Sequence, residues 1–172
     1  GQYTRKIINV VRQMMTGSET RKLTEILSIR HLKEDLQKVR QQGDITRIST
    51  KEIEIAKKIQ EVVGRFPYKE FANNPSEMIK NKELNCLGAT LLVGRLFKEV
   101  GINYLQVYIP GHAVVILTTT DGRAFWQDIR SYLFKELQDS DIQGEGKDGK
   151  SVTISDIIAL SNRPSPEGLL IT

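Results

Sequence analysis

The hydrophobic period of this chain changes once, just after Gly101. Before that point apolar residues recur every three or four positions, the spacing of an amphipathic helix. After it they gather in short β-branched and aromatic runs separated by turn signals, the mark of strands. Helices followed by adjoining strands predict an α+β fold, in which helices pack on an antiparallel sheet. At 172 residues and 39% hydrophobic content, the chain is long enough to bury one real core, with room for a helical appendage.

The helical half begins with a stretch over residues 4–15, carrying Ile7, Ile8, Val11, Met14 and Met15. Thr16-Gly17-Ser18 interrupts it, and Ser18 can cap a second helix that runs to about Gln42. Leu23, Ile26, Leu27, Ile29, Leu32, Leu36 and Val39 form the apolar stripe of that helix, and Gln41-Gln42-Gly43-Asp44 ends it. A third helix is expected after Ser49 or Thr50, with Ile53, Ile55, Ala56, Ile59, Val62 and Val63 on its apolar side. Pro67, inside Gly64-Arg65-Phe66-Pro67-Tyr68, cannot continue it. A short helix is expected around Met78 and Ile79. From Cys86 to Val100 the chain is dense in small and apolar residues, as in a helix packed on most sides. Asn85 can cap its start, and Gly101 stops it.

Three strands follow: Tyr104–Ile109, His112–Thr119 and Arg123–Ile129, with a weaker fourth element at Leu133–Leu137. Residues 138–150 read as a polar loop, 152–160 as a short strand or helix, and the Pro/Ser-rich end as a tail. The expected organisation is a helical extension over 1–48, a domain over 49–160 and a tail over 161–172.

Charge separates along the chain. Residues 1–72 carry 15 Lys/Arg against 9 Asp/Glu, whereas residues 73–172 carry 10 against 12. The basic residues are interspersed with Glu and lack interleaved aromatics, so they read as a solvated helix face and no nucleic-acid partner is expected. No apolar run is long enough for a transmembrane helix, and no secretory signal opens the chain. A lone cysteine cannot form an internal disulfide, which suits a reducing, cytoplasmic location. The chain does not begin with Met, so the removal of a targeting segment is left open.

That lone cysteine, Cys86, starts a helix and is followed in order by His112 and by Asp128 within Trp126-Gln127-Asp128. Each has an ordinary reading: a small buried hydrophobe, a satisfied structural histidine, a strand-ending aspartate and a core tryptophan. Together they fit nucleophilic catalysis. The unpaired N–H groups and dipole at a helix N-terminus favour a thiolate. An imidazole can take and return the proton, and a carboxylate can fix its tautomer. The expected chemistry is acyl transfer through a thioester, with water or an amine as acceptor. The Cys86 N–H is the natural first oxyanion donor, and Tyr68 is a candidate second or simply a core aromatic. One Cys and one strand His fall short of a zinc site, and His31 lies on an N-terminal helix. No cofactor is implied.

The loop between the last two strands sets a condition. With Asp121-Gly122 as a two-residue turn, Asp128 would oppose Val115 and face away from His112. With Thr120-Asp121-Gly122 as a three-residue loop and Gly122 left-handed, Asp128 opposes Val114, one diagonal step from His112 on the same face. Diagonal neighbours lie roughly 7 Å apart, within reach of an Asp–His contact. Trp126 then shares that face.

Cys86-Leu87-Gly88-Ala89-Thr90-Leu91-Leu92 through the helix end at Gly101-Ile102 resembles the Cys helix of the transglutaminase-like superfamily of papain-like cysteine enzymes. Gly111-His112-Ala113-Val114 and Trp126-Gln127-Asp128 are similar to its His and Asp strands. Phe66-Pro67-Tyr68 is similar to an aromatic turn that precedes the Cys helix. Pro110-Gly111-His112 also resembles the bacterial branch related to the SirB family. The likeness covers roughly residues 50–135. It implies a papain-like core with Cys86 as nucleophile, His112 as base and Asp128 as orienter. It also implies a cysteine peptidase or amide hydrolase acting on a protein or peptide substrate. The family includes inactive members, so the alternative is a silent module that binds a protein partner through its N-terminal helices.

Overall fold

The computed structural model describes residues 29–65, 86–109, 111–142, 149, 151–161 and 169–170. The helix expected over 4–15, the Ser18 cap, Tyr68, the short helix around Met78 and the Asn85 cap lie outside the described residues.

Helix α1 (Ile29–Gln42) buries Leu32 and Leu36 and ends at Gly43, which takes a left-handed φ of 74°. Helix α2 spans Ile45–Gly64, five residues longer at its start than a Ser49 cap would make it. Its cap is Asp44, whose carboxylate accepts the Arg47 N–H at 3.2 Å. Ser49 is instead fully buried on the inner side of the helix. No break occurs at residue 48, and α1 and α2 contribute to the same core.

Helix α3 (Cys86–Val100) carries Ala89, Val93, Leu96 and Phe97, none of them exposed to solvent. Each large apolar side chain buried this way contributes roughly 1.5–3 kcal/mol. Gly101, at φ 92°, stops the helix, and the N–H groups of Gly101 and Ile102 both donate to Phe97 O at 2.9 Å. Strand β1 (Asn103–Ile109) follows at once and runs back along α3. The Phe97 ring meets that of Tyr104 edge-on, and Gln106 Nε2 donates to Thr90 O at 3.3 Å. Between these contacts lies Gly94, where an added Cβ would stand 2.5 Å from Gln106 Nε2 and 2.9 Å from Tyr104. A side chain there would hold the helix off the sheet.

Strands β2 (His112–Thr118), β3 (Ala124–Asp128) and β4 (Leu133–Glu136) extend β1 into an antiparallel meander. A two-residue strand β5 (Leu169–Leu170) pairs in parallel with the free edge of β1, giving the order β4-β3-β2-β1-β5. These two residues belong to the stretch expected to be a tail. The segment left open as strand or helix is helix α4 (Ile154–Ser161).

The sheet is covered on both faces, by two separate apolar clusters. Tyr104, Val115, Leu117, Phe125 and Ile129 pack with α1, α2 and α3. Leu105, Val107, Val114, Ile116 and Ala124 pack with Leu137 and Ile157 of α4, and Ile109 and Trp126 lie against them. This strict alternation is why β1 and β2 read as nearly continuous apolar runs. The fold is thus α+β, with four helices and an antiparallel four-strand sheet among the described residues. None of these helices is long and apolar enough to cross a membrane.

Candidate functional site

The β2–β3 connection is the three-residue loop. Val115 pairs with Gln127 and Thr118 with Ala124, Thr119 N donates to Arg123 O at 2.9 Å, and Gly122 sits at φ 83°. One step beyond Val115–Gln127, Asp128 falls opposite Val114 and diagonal to His112. The side chains meet there: His112 Nε2 lies 2.6 Å from Asp128 Oδ2. An ionised carboxylate only accepts, so Nε2 carries the proton and Nδ1 is left as the basic nitrogen. The pair is partly shielded, with side-chain exposures of 33% for His112 and 15% for Asp128. Trp126 shares the face, half-buried against the second cluster.

Residues distant in sequence hold the loop in this form. Ser49 Oγ accepts the Asp121 N–H and Glu52 Oε1 the Thr120 N–H, each at 2.9 Å. Glu52 also receives Arg40 Nη2 at 3.3 Å, and the same nitrogen donates to Gly101 O at 2.6 Å. At the loop, burial raises the Asp121 carboxyl, but hydrogen bonds from Thr119 and Arg123 outweigh it and hold the group below its ordinary range.

A second polar device lies under Asp128. Gln60 Nε2 donates to Asp128 O and to Leu133 O, both at 3.1 Å. Gln127 Nε2 donates at 2.9 Å to Gln60 Oε1 and to Ala56 O. Neither these glutamines nor Ser49 and Glu52 stand out in a reading for catalytic types. The available signal is their spacing: Ser49, Glu52 and Gln60 occupy inward positions of a helix whose other inward positions include Ile48, Ile55, Ala56, Ile59 and Val63. Polar residues on such a stripe need buried partners.

Cys86 is the first residue of α3 and is partly buried, with a free thiol. Because α3 and β1 are antiparallel, with Phe97 beside Tyr104 and Thr90 beside Gln106, the helix start lies towards Ile109. That is the end of the sheet where β2 begins with His112 and β3 ends with Asp128. Cys86 therefore shares an end of the sheet with the pair. The body of α3 packs on the side of Val115 and Leu117, whereas His112 and Asp128 continue the rows of Val114, Ile116 and Trp126. Among the described residues no hydrogen bond joins Cys86 Sγ to His112. No group of three or more His, Cys, Asp or Glu is arranged to hold a metal ion among them either.

Chemically, the pair can hold an imidazole in one tautomer with Nδ1 ready to accept a proton. Compared with protein-family models, curated proteins and solved structures, the chain matches none.

Proposed function

We propose that this protein is a thiol-dependent acyl-transfer enzyme of the transglutaminase-like, papain-like kind, acting as a cysteine peptidase or amide hydrolase. The observation that carries this reading is the His112–Asp128 contact, formed at the end of the sheet towards which the Cys86 helix begins. In the reaction, Nδ1 of His112 takes the Cys86 proton and the thiolate attacks the amide carbonyl carbon. The imidazolium returns that proton to the leaving amine, and the acyl group stays on sulfur. Water, deprotonated by the same nitrogen, then cleaves the thioester and frees the acid and the thiol. Asp128 keeps Nε2 protonated throughout.

The test is alkylation of Cys86 at near-neutral pH in the native protein and in His112→Ala. General-base assistance is worth about a hundredfold at its lower end, so a loss of that order in the variant supports the enzyme. Equal rates in the two proteins overturn it.

One observation favours a second reading. The body of the Cys86 helix packs on the face opposite the pair, and among the described residues no hydrogen bond joins Cys86 to His112, which suits a silent module binding a protein partner through its N-terminal helices. A Cys86 that reacts only after denaturation supports this alternative.

A further inference from the structure

The geometry points to Gln60 and Gln127 as positioning residues that hold Asp128 in line with His112. The inference rests on reading Asp128 as the orienting acid.

Asp128 is the last residue of β3, and the chain leaves the sheet at once, returning as β4 after four intervening residues. The turn contains Tyr132 at φ 58°, a conformation that costs a residue with a Cβ. Within the turn the Asp128 carboxylate has one further partner, the Ser131 N–H, at a long 3.5 Å. Local contacts therefore hold this side chain weakly. The main chain around it is held well, because one amide spans the turn: Gln60 Nε2 donates to Asp128 O on the way out and to Leu133 O on the way back. Gln60 is only 4% exposed, and its own orientation is set by Gln127, which spends both amide hydrogens on Gln60 Oε1 and Ala56 O.

Gln127 and Asp128 are consecutive strand residues, so their side chains leave the sheet on opposite faces. Gln127 reaches inwards to α2, and Asp128 reaches out to His112. Fixing one fixes the plane from which the other departs. The two amides cannot touch a substrate at the pair, because the sheet lies between.

Among the described residues, Gln127 Oε1 is buried without a hydrogen-bond partner. An apolar side chain of the same length would avoid that orphaned acceptor. A network kept for stability alone is poorly served by it, whereas one that needs the two donors of Gln127 requires an amide.

The experiment reads the pair directly, in the full chain and without any substrate. The imidazole Nε2 proton of His112, hydrogen-bonded to a carboxylate, gives a downfield proton resonance at low temperature, assigned by its loss in Asp128→Ala. In Gln60→Met, which keeps the volume and removes both donors, its solvent exchange rises by roughly tenfold, the scale of one lost hydrogen bond. Unchanged exchange in a folded Gln60→Met overturns the assignment. Should Gln60→Met fail to fold, Gln127→Met decides. It removes the brace and the orphaned acceptor together while sparing the two carbonyl bonds. Faster exchange there supports the proposal, and native exchange overturns it. The Cys86 alkylation rate, measured on the same samples, reports separately on the enzyme reading. A silent thiol with an altered His112 resonance would sink the catalysis and keep the positioning.

Discussion

Glu52 Oε1 accepts the Thr120 N–H at 2.9 Å, across 68 residues of sequence. The carboxylate is 2% exposed and its other oxygen faces Arg40, itself 37% exposed. Replacing Glu52 by Leu takes the acceptor from the Thr120 N–H and the counter-charge from the Arg40 guanidinium. The expected loss is about 1–2 kcal/mol, the scale of one lost hydrogen bond to a carboxylate plus a partly screened ion pair. Urea unfolding measures it, with an unchanged slope showing that the native and unfolded states keep their surface areas.

Gly94→Val tests how closely α3 must lie on β1. The new side chain meets Gln106 and the buried ring of Tyr104. Gln106 cannot swing aside freely, because it donates to Thr90 O and accepts from the Tyr108 hydroxyl. Overpacking of this kind costs about 1–3 kcal/mol, read as a lowered midpoint of thermal unfolding.

Asp121 makes stability depend on acid. Its folded carboxyl is held below the ordinary value, with burial opposing and the Thr119 and Arg123 hydrogen bonds prevailing. A depressed folded value means stability that is complete above the unfolded value and declines as pH falls towards the folded one. The difference in urea midpoint between the native chain and Asp121→Asn should therefore be constant above about pH 5 and shrink below about pH 4. A difference that grows with acid would contradict it.

Asp128→Asn separates orientation from charge. An asparagine can donate to Nε2, which transfers the imidazole proton to Nδ1 and removes the base that the thiol needs. Alkylation of Cys86 should slow by roughly tenfold or more, with little change in the unfolding midpoint.

Much of this was legible in the residues themselves. The change of period after Gly101 predicts the order of elements, and the apolar runs locate β1, β2 and β3. The loop length was not legible, since Thr120-Asp121-Gly122 suits two turns. The choice is made by Ser49 and Glu52, whose contacts with it span 72 and 68 residues. The same two residues explain the missed start of α2. Ser49 looked like a cap because serine often is one, but its hydroxyl serves the loop, and Asp44 does the capping. The approach of α3 to β1 could be anticipated from Gly94, whereas the face on which His112 emerges depends on which row of β2 the helices cover.

The three-residue loop has one more consequence. A ladder counts residues and does not average them. A slip of β3 by one residue against β2 would bring Ile129 to the place where Asp128 now meets His112. Thermal breathing can only stretch that contact. Such a slip would exchange an acid for a hydrocarbon, so the register keeps the pair whole or loses it entirely.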